Sequence, residues 1–240
     1  MNKYLKLLAL SWQIETTYRF DFVLWRIRTI FRILLTFFLW IGVFKVTDQA
    51  FGYSSQDMMT YVFWVLVIHS VVVTATSTNH VGGEIAGGDL GNYLLKPINY
   101  AHFWFTRDLA HKGLHTIFSF IELSILWWWL KPDLYIPSSI GQIIAGVIMI
   151  VIALRLFFLL DFSAKFITFW WPEYSWGMTF VLLVLIEILS GYIFPLDVLP
   201  TWVSLMVDLT PFPYLLYYPI SIWIGSVSPL DWVWIFFRSC

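Results

Sequence analysis

Three ionisable side chains interrupt apolar runs long enough to cross a bilayer: His69 within residues 58–78, Glu122 within 114–130 and Glu187 within 176–194. Such groups are costly in hydrocarbon, so they serve a polar pathway, a proton relay or a structural pairing. Each falls close to the middle of its run. Together they form a candidate intramembrane polar site, suited to holding the polar part of a substrate or to passing protons. The plainer expectation is that each satisfies a neighbouring helix or faces water inside a bundle.

A second concentration of special residues is HVGGEIAGGDLGNYLLKP, residues 80–97, which holds five of the chain's thirteen glycines. Gly82 and Gly87 match the glycine half of a phosphate loop. Gly88 and Asp89 then stand where Lys and Ser or Thr are required, and an acid there would repel a phosphate, so the chain does not read as an ATPase. The remaining reading is architectural. Leu90, Tyr93 and Leu94 recur at i, i+3 and i+4, one face of a helical turn, and Pro97 stops it. This predicts a short amphipathic helix on the membrane surface, either a plain connecting turn or a knob offered to the groove of a soluble partner. His102, His111 and His115 suggest a metal site, since the last two are four apart, yet no Glu follows as in H-E-x-x-H and no third ligand is evident, which argues against it. No catalytic constellation is found.

The composition names the scaffold. The chain is 60% apolar, 20% aromatic and 12% charged, with no charged stretch large enough to cover a soluble domain. The expectation is an all-α, polytopic membrane helix bundle, a single transmembrane domain over residues 1–240. A net charge of −1 offers no basic face to nucleic acid. The one cysteine, Cys240, makes no internal disulfide and no thiolate cluster. After Lys3 and Lys6 the apolar run LLAL is too short for a cleavable signal.

Five complete spans are predicted near 27–46, 58–78, 114–130, 140–160 and 176–194. Residues 1–26 mix Lys and Arg with Trp12, Phe20, Phe22 and Trp25 and read as an interfacial helix, with Arg28 and Arg32 snorkelling from the first span. Residues 80–112 form a cytoplasmic loop. Arg155 and Asp161 are placed at the interface. From 195 to 225, prolines at 195, 200, 211, 213 and 219 exclude one straight helix and predict a re-entrant outer hairpin. WVWIFF at 232–237 begins a sixth span that reads as truncated, so the natural end is expected to differ. With the N-terminus inside, Lys3, Lys6, Arg19, Arg26, Arg28, Arg32, Lys96, Arg107, Lys112 and Lys165 share the cytoplasmic side, against Lys45 and Lys131 outside.

YRFDFVLW at 18–25, IAGGDLGNYLLKPI in the glycine loop, and SGYIFPLDVLPTWV followed by LTPFPYLLYYPISIWIG, in that order, resemble the bacterial ABC type-two permease family, the membrane subunits of ATP-driven exporters. The likeness runs from about Lys3 to Gly225. It implies six spans, an N-terminal elbow helix, and a coupling helix between spans two and three to which Gly88, Asp89, Leu90, Tyr93, Leu94, Leu95 and Pro97 correspond. Gly191, Pro195, Leu196, Asp197, Pro200, Pro211 and Phe212 correspond to the outer hairpin. The sequence departs from the family in lacking the sixth span and the basic tail after it. By that likeness the chain sits in the bacterial inner membrane, pairs with a second permease chain, and docks on a cytosolic ATPase that carries the ATP and Mg. It performs no covalent chemistry and exports a hydrophobic or amphiphilic substrate. The competing expectation is a proton-coupled secondary carrier using His69, Glu122 and Glu187, for which no inverted repeat is evident.

Overall fold

A computed structural model describes residues 6–7, 9–13, 19–47, 49–73, 78–131, 134–135, 137 and 139–227. Its long elements are helices: α1 (Arg19–Phe44), α2 (Ser55–Val72), α3 (Asn79–Ala86), α4 (Leu90–Leu94), α5 (Tyr100–Leu130), α6 (Ile140–Ala164), α7 (Ser175–Leu189), α8 (Thr201–Asp208) and α9 (Tyr217–Ile224). Among the described residues the fold is all-α, relieved only by a minimal hairpin of β1 (Gln49–Ala50) and β2 (Tyr53–Ser54). Phe51 and Gly52 turn that hairpin with φ of 59° and 82°, the left-handed pair that a two-residue hairpin requires.

Two helical stretches, Arg26–Phe44 and Ile140–Phe169, are long and apolar enough to cross a membrane, and Trp176–Leu189 is a shorter apolar helix. α2 is the centre of the bundle. It is buried from Met58 to Tyr61 and again from Val65 to Ser70, on every side, which is how a helix surrounded by other helices reads. Around it Phe37, Leu123, Phe157, Ile186 and Ile220 close the main core from α1, α5, α6, α7 and α9, with Leu215 from the turn before α9. α9 lies against both α6 and α2. Val81, Trp104, Phe158 and Phe162 form a second core where α3, α5 and α6 meet.

Several boundaries differ from those expected. α1 continues unbroken through residue 26, where an elbow was predicted to give way to a span. The helix that carries the third run begins at Tyr100, capped by the Asn99 side chain on the His102 amide, well before Leu114. α7 ends at Leu189 instead of running on to residue 194. Asp161 is buried and not interfacial: it accepts a hydrogen bond from Thr78 and lies 3.6 Å from Lys165, whose ammonium donates to Thr179. A charge sealed among partners of this kind needs no interface. Residues 232–237, read as a sixth span, and most of the tail before Arg19 lie outside the described residues. Of that tail, the turn 9–13 is helical, with the Trp12 ring against Gly113 of α5.

Candidate functional site

The three polar groups of the apolar runs do not form one cluster. They divide between two arginines of α1. Arg26 donates through Nε to Glu122 Oε1 at 2.8 Å and through Nη2 to Oε2, a bidentate pair. Its remaining donors reach Ser119 Oγ at 3.1 Å and the His115 carbonyl at 3.4 Å, so α1 is clamped to three successive turns of α5. This pair is sealed, with side-chain exposures of 7% and 15%.

Arg32, six residues and about 9 Å further along α1, gathers the other two. Its guanidinium donates to Glu187 Oε1 from Nη2, which also lies 3.4 Å from His69 Nε2, and its Nε donates to Tyr192 Oη at 2.9 Å. The Tyr192 ring lies 4.5 Å from His69 and 4.7 Å from the Arg32 carbon. His69 and Glu187 thus share a centre, while Glu122 belongs to another. Sequence reasoning missed both as partners because Arg26 was assigned to the interfacial helix of residues 1–26 and Arg32 to the opening of the first span, where snorkelling explains an arginine. The available signal was that each buried acid required a cation.

The His111 and His115 rings lie 4.8 Å apart along α5, tilted at 54° to each other. Among the described residues no group of three or more His, Cys, Asp or Glu side chains gathers as a metal would require.

The glycine stretch folds into two helices joined by a sharp turn. α3 carries Glu84, α4 follows, and Gly88 between them has φ +79°, open only to a residue without a Cβ penalty. α4 ends at Leu94, ahead of Pro97. Glu84 ties the unit together: Oε1 accepts from Tyr93 Oη at 2.8 Å and Oε2 from Tyr100 Oη at 2.6 Å. Lys96 lies over the Tyr93 ring and Arg107 over the Trp104 ring. On the other side of α4, Asp89, Gly91, Asn92, Lys96 and Pro97 are exposed, and Leu95 is 88% exposed. The Leu94 side chain is outside the described residues.

Partial burial, helped by the hydrogen bond to Glu84, pushes the Tyr93 hydroxyl from 10.0 up to about 12. A folded value above the unfolded one means the tether is complete below pH 10 and is lost as pH rises from there through about 12. In a phenolate absorbance titration, Glu84→Gln is therefore expected to bring part of the late-titrating absorbance, that of Tyr93 and Tyr100, to lower pH. Tyr93→Phe should speed amide exchange in residues 88–96 without altering the spans.

The proline-rich region is a chain of short pieces: 3-10 turns at Leu196–Val198 and Phe212–Tyr214, with α8 between them and α9 after. Gly191 starts the reversal with φ +82°; a Cβ there would stand 2.7 Å from Tyr61 Oη and 3.1 Å from Tyr217 Cβ. Tyr61 donates to the Gly191 carbonyl at 2.7 Å, and the Tyr217 amide donates to Ser190 at 3.0 Å. Gly191→Ala is expected to cost about 1–3 kcal/mol, visible as a lower unfolding temperature in detergent, and less in a Tyr61→Phe background.

Pro195 and Leu196 are buried, Pro200 precedes α8, and Pro211 leads the turn that packs Phe212 on the main core. Asp197 accepts from Tyr53 Oη at 2.5 Å, and Asp208 from Tyr218 at 3.0 Å. α8 presents Trp202, Leu205, Met206 and Leu209, all exposed and on one stripe, away from the buried Val207.

Residues 30–240 match the family described as ABC-2 family transporter protein, and that span is most of the chain. The chain belongs to this family of ABC transporter membrane components. No curated protein and no solved structure matches it.

Proposed function

We propose that the chain is the permease subunit of an ATP-driven exporter, docked through α4 on a separate cytosolic ATPase that binds ATP and Mg. The observation that carries this reading is the construction of α4. Its back is tied to α3 and α5 through Glu84, while its outer side offers a bare Leu95 beside Asp89 and Lys96. A single large apolar residue held rigidly among polar neighbours suits a shallow groove in a soluble protein. Gly88 to Pro97 form the coupling segment of this reading, within the cytoplasmic loop 80–112.

In the same reading the chain is one membrane domain of residues 1–240 with five complete spans on α1, α2, α5, α6 and α7. The N-terminus is cytoplasmic, in a bacterial inner membrane. Gly191 leads into the outer hairpin of residues 195–225, to which Pro195 to Phe212 belong, and the apolar stripe of α8 favours a place in the headgroup layer. Transport proceeds by alternating access: ATP closes the ATPase subunits, α4 follows, and the spans reorganise. The substrate is hydrophobic or amphiphilic, in keeping with the apolar faces of α1 and α7.

The proton-carrier alternative loses its main support, because Glu122 and Glu187 each hold an arginine and do not share a relay. Affinity purification of the chain from its native membranes is expected to recover a cytosolic ATPase in stoichiometric amount. Uptake or efflux that follows a pH gradient after ATP depletion, with no ATPase recovered, would reverse the choice.

A further inference from the structure

The segment that joins α6 to α7 has two unlike sides. It is built of two 3-10 turns, Lys165–Phe169 and Pro172–Tyr174. Lys165 and Thr168 are buried, with Lys165 held by Asp161 and Thr179. Phe169, Trp170, Trp171, Tyr174 and Trp176 lie on the outer side, each more than half exposed. Rings of about 150–250 Å² each make this a patch of several hundred Å², which a surface facing water does not carry without a partner. From residue 166 to 186 the one charged side chain is that of Glu173, and it is exposed.

Water suits Glu173 and the open backbone of the turns, but not five aromatic rings. Hydrocarbon suits the rings, but not the carboxylate, the indole and phenol donors or a backbone outside the α-helix. The headgroup layer suits all of them, having a wet side and an apolar side, and it is where Trp and Tyr collect. The place of the segment agrees with this. It leaves the apolar stretch Ile140–Phe169 and enters the apolar stretch Trp176–Leu189. Trp176 stacks on Phe180 at 6.0 Å, and the exposed Phe180 carries the patch on along α7. The groove of a soluble partner would have to follow that patch into the bilayer.

We infer that the segment is a membrane-surface anchor, its five rings seated among lipid headgroups at the ends of α6 and α7. α3 packs against both turns and against α7, so the anchor braces the α3–α4 unit on the bilayer surface. Because the segment's exposed charge is an acid, the attachment is aromatic and apolar and needs no anionic lipid. The inference goes beyond the permease reading and rests on it only in requiring a membrane-embedded chain.

The test uses the full chain with Cys240→Ser in phosphatidylcholine vesicles, carrying a small fluorophore at Trp171→Cys. Lipids with a nitroxide at the headgroup are expected to quench it more than lipids with the nitroxide at mid-chain, and more than aqueous iodide. Added phosphatidylglycerol should leave that order unchanged. Two further sites set the depth scale: Ile148→Cys on the exposed side of α6 should be quenched best from mid-chain, and Leu95→Cys on α4 best by iodide. In the same vesicles, Trp170→Ser combined with Trp171→Ser should speed amide exchange in residues 79–86, while α1 and α6 stay as protected as in wild type. The exposed rings give the chain little packing of their own, so faster exchange there reads the lost membrane contact.

Quenching at Trp171→Cys that follows Leu95→Cys would put the segment in water, and quenching that follows Ile148→Cys would put it in hydrocarbon. Iodide quenching that the cytosolic ATPase abolishes would give the patch to that partner. Each of these overturns the inference, as does unaltered exchange in residues 79–86. None of the readouts uses ATP, so recovery of the ATPase from native membranes decides the permease reading separately.

Discussion

With Leu94 and Leu95 both changed to Asp, the chain is expected to fold, enter the membrane and lose its ATPase partner. Leu95 is almost wholly exposed at the C-terminal cap of α4, so the folded chain gives up little burial there. In a docked complex the same side chain is removed from water, which contributes about 1.5–3 kcal/mol per leucine. Carboxylates at both places forfeit that contribution and add a desolvation cost, together more than about 3 kcal/mol, or a loss of affinity above about 100-fold. Recovery of the ATPase on the tagged chain should fall to background, while the circular dichroism spectrum and the unfolding temperature stay near wild type. Normal recovery would show that α4 is not the docking element.

The second large effect concerns stability. Glu122→Leu strands the Arg26 guanidinium in a site with 7% exposure, where its remaining partners are Ser119 and a carbonyl. Removing one member of a buried pair costs about 3–5 kcal/mol, since the other charge keeps its desolvation penalty. The unfolding temperature in detergent should fall by about 10 °C for a chain of this size. Adding Arg26→Met should restore most of that loss, because replacing both partners by apolar groups removes the stranded charge. If Glu122→Leu unfolds at the wild-type temperature yet abolishes transport, the pair is a working part of the pathway and not a clamp.

The elements made from local rules could be read from the sequence. Gly88 to Pro97 contain their own turn, periodicity and stop, and α4 lies inside the predicted segment. The prolines from 195 to 219 break the chain where the short pieces between α7 and α9 occur. What escaped depends on contacts distant in sequence. Arg26 meets Glu122 across 96 positions and Arg32 meets Glu187 across 155, so no window of local pattern contains either pair.

Asp161 was placed with Arg155 at the interface, and Lys165 in the loop beyond, because charges near the end of an apolar run suit water. Thr78 and Thr179, which seal them, come from either side of the same sequence. The start of α5 was obscured for a related reason. Asp108 and Lys112 read as loop residues, yet they form an i, i+4 pair at 2.8 Å, buried against Phe157. Just past the end of α7 at Leu189 stands the left-handed Gly191, where a Cβ would also meet Tyr61 and Tyr217, residues distant in sequence.

The carboxylate of Glu84 has a mechanical consequence. By holding Tyr93 of α4 and Tyr100 at the head of α5 with its two oxygens, it turns a five-residue helix into the handle of a long rod. α5 has 31 residues, about 46 Å of rigid lever. A push that tilts the handle end by about 10° would carry Trp129, at the far end, through roughly 8 Å, a distance comparable with the spacing between packed helices. Tied through one carboxylate, a small movement of α4 becomes a long stroke at the far end of α5.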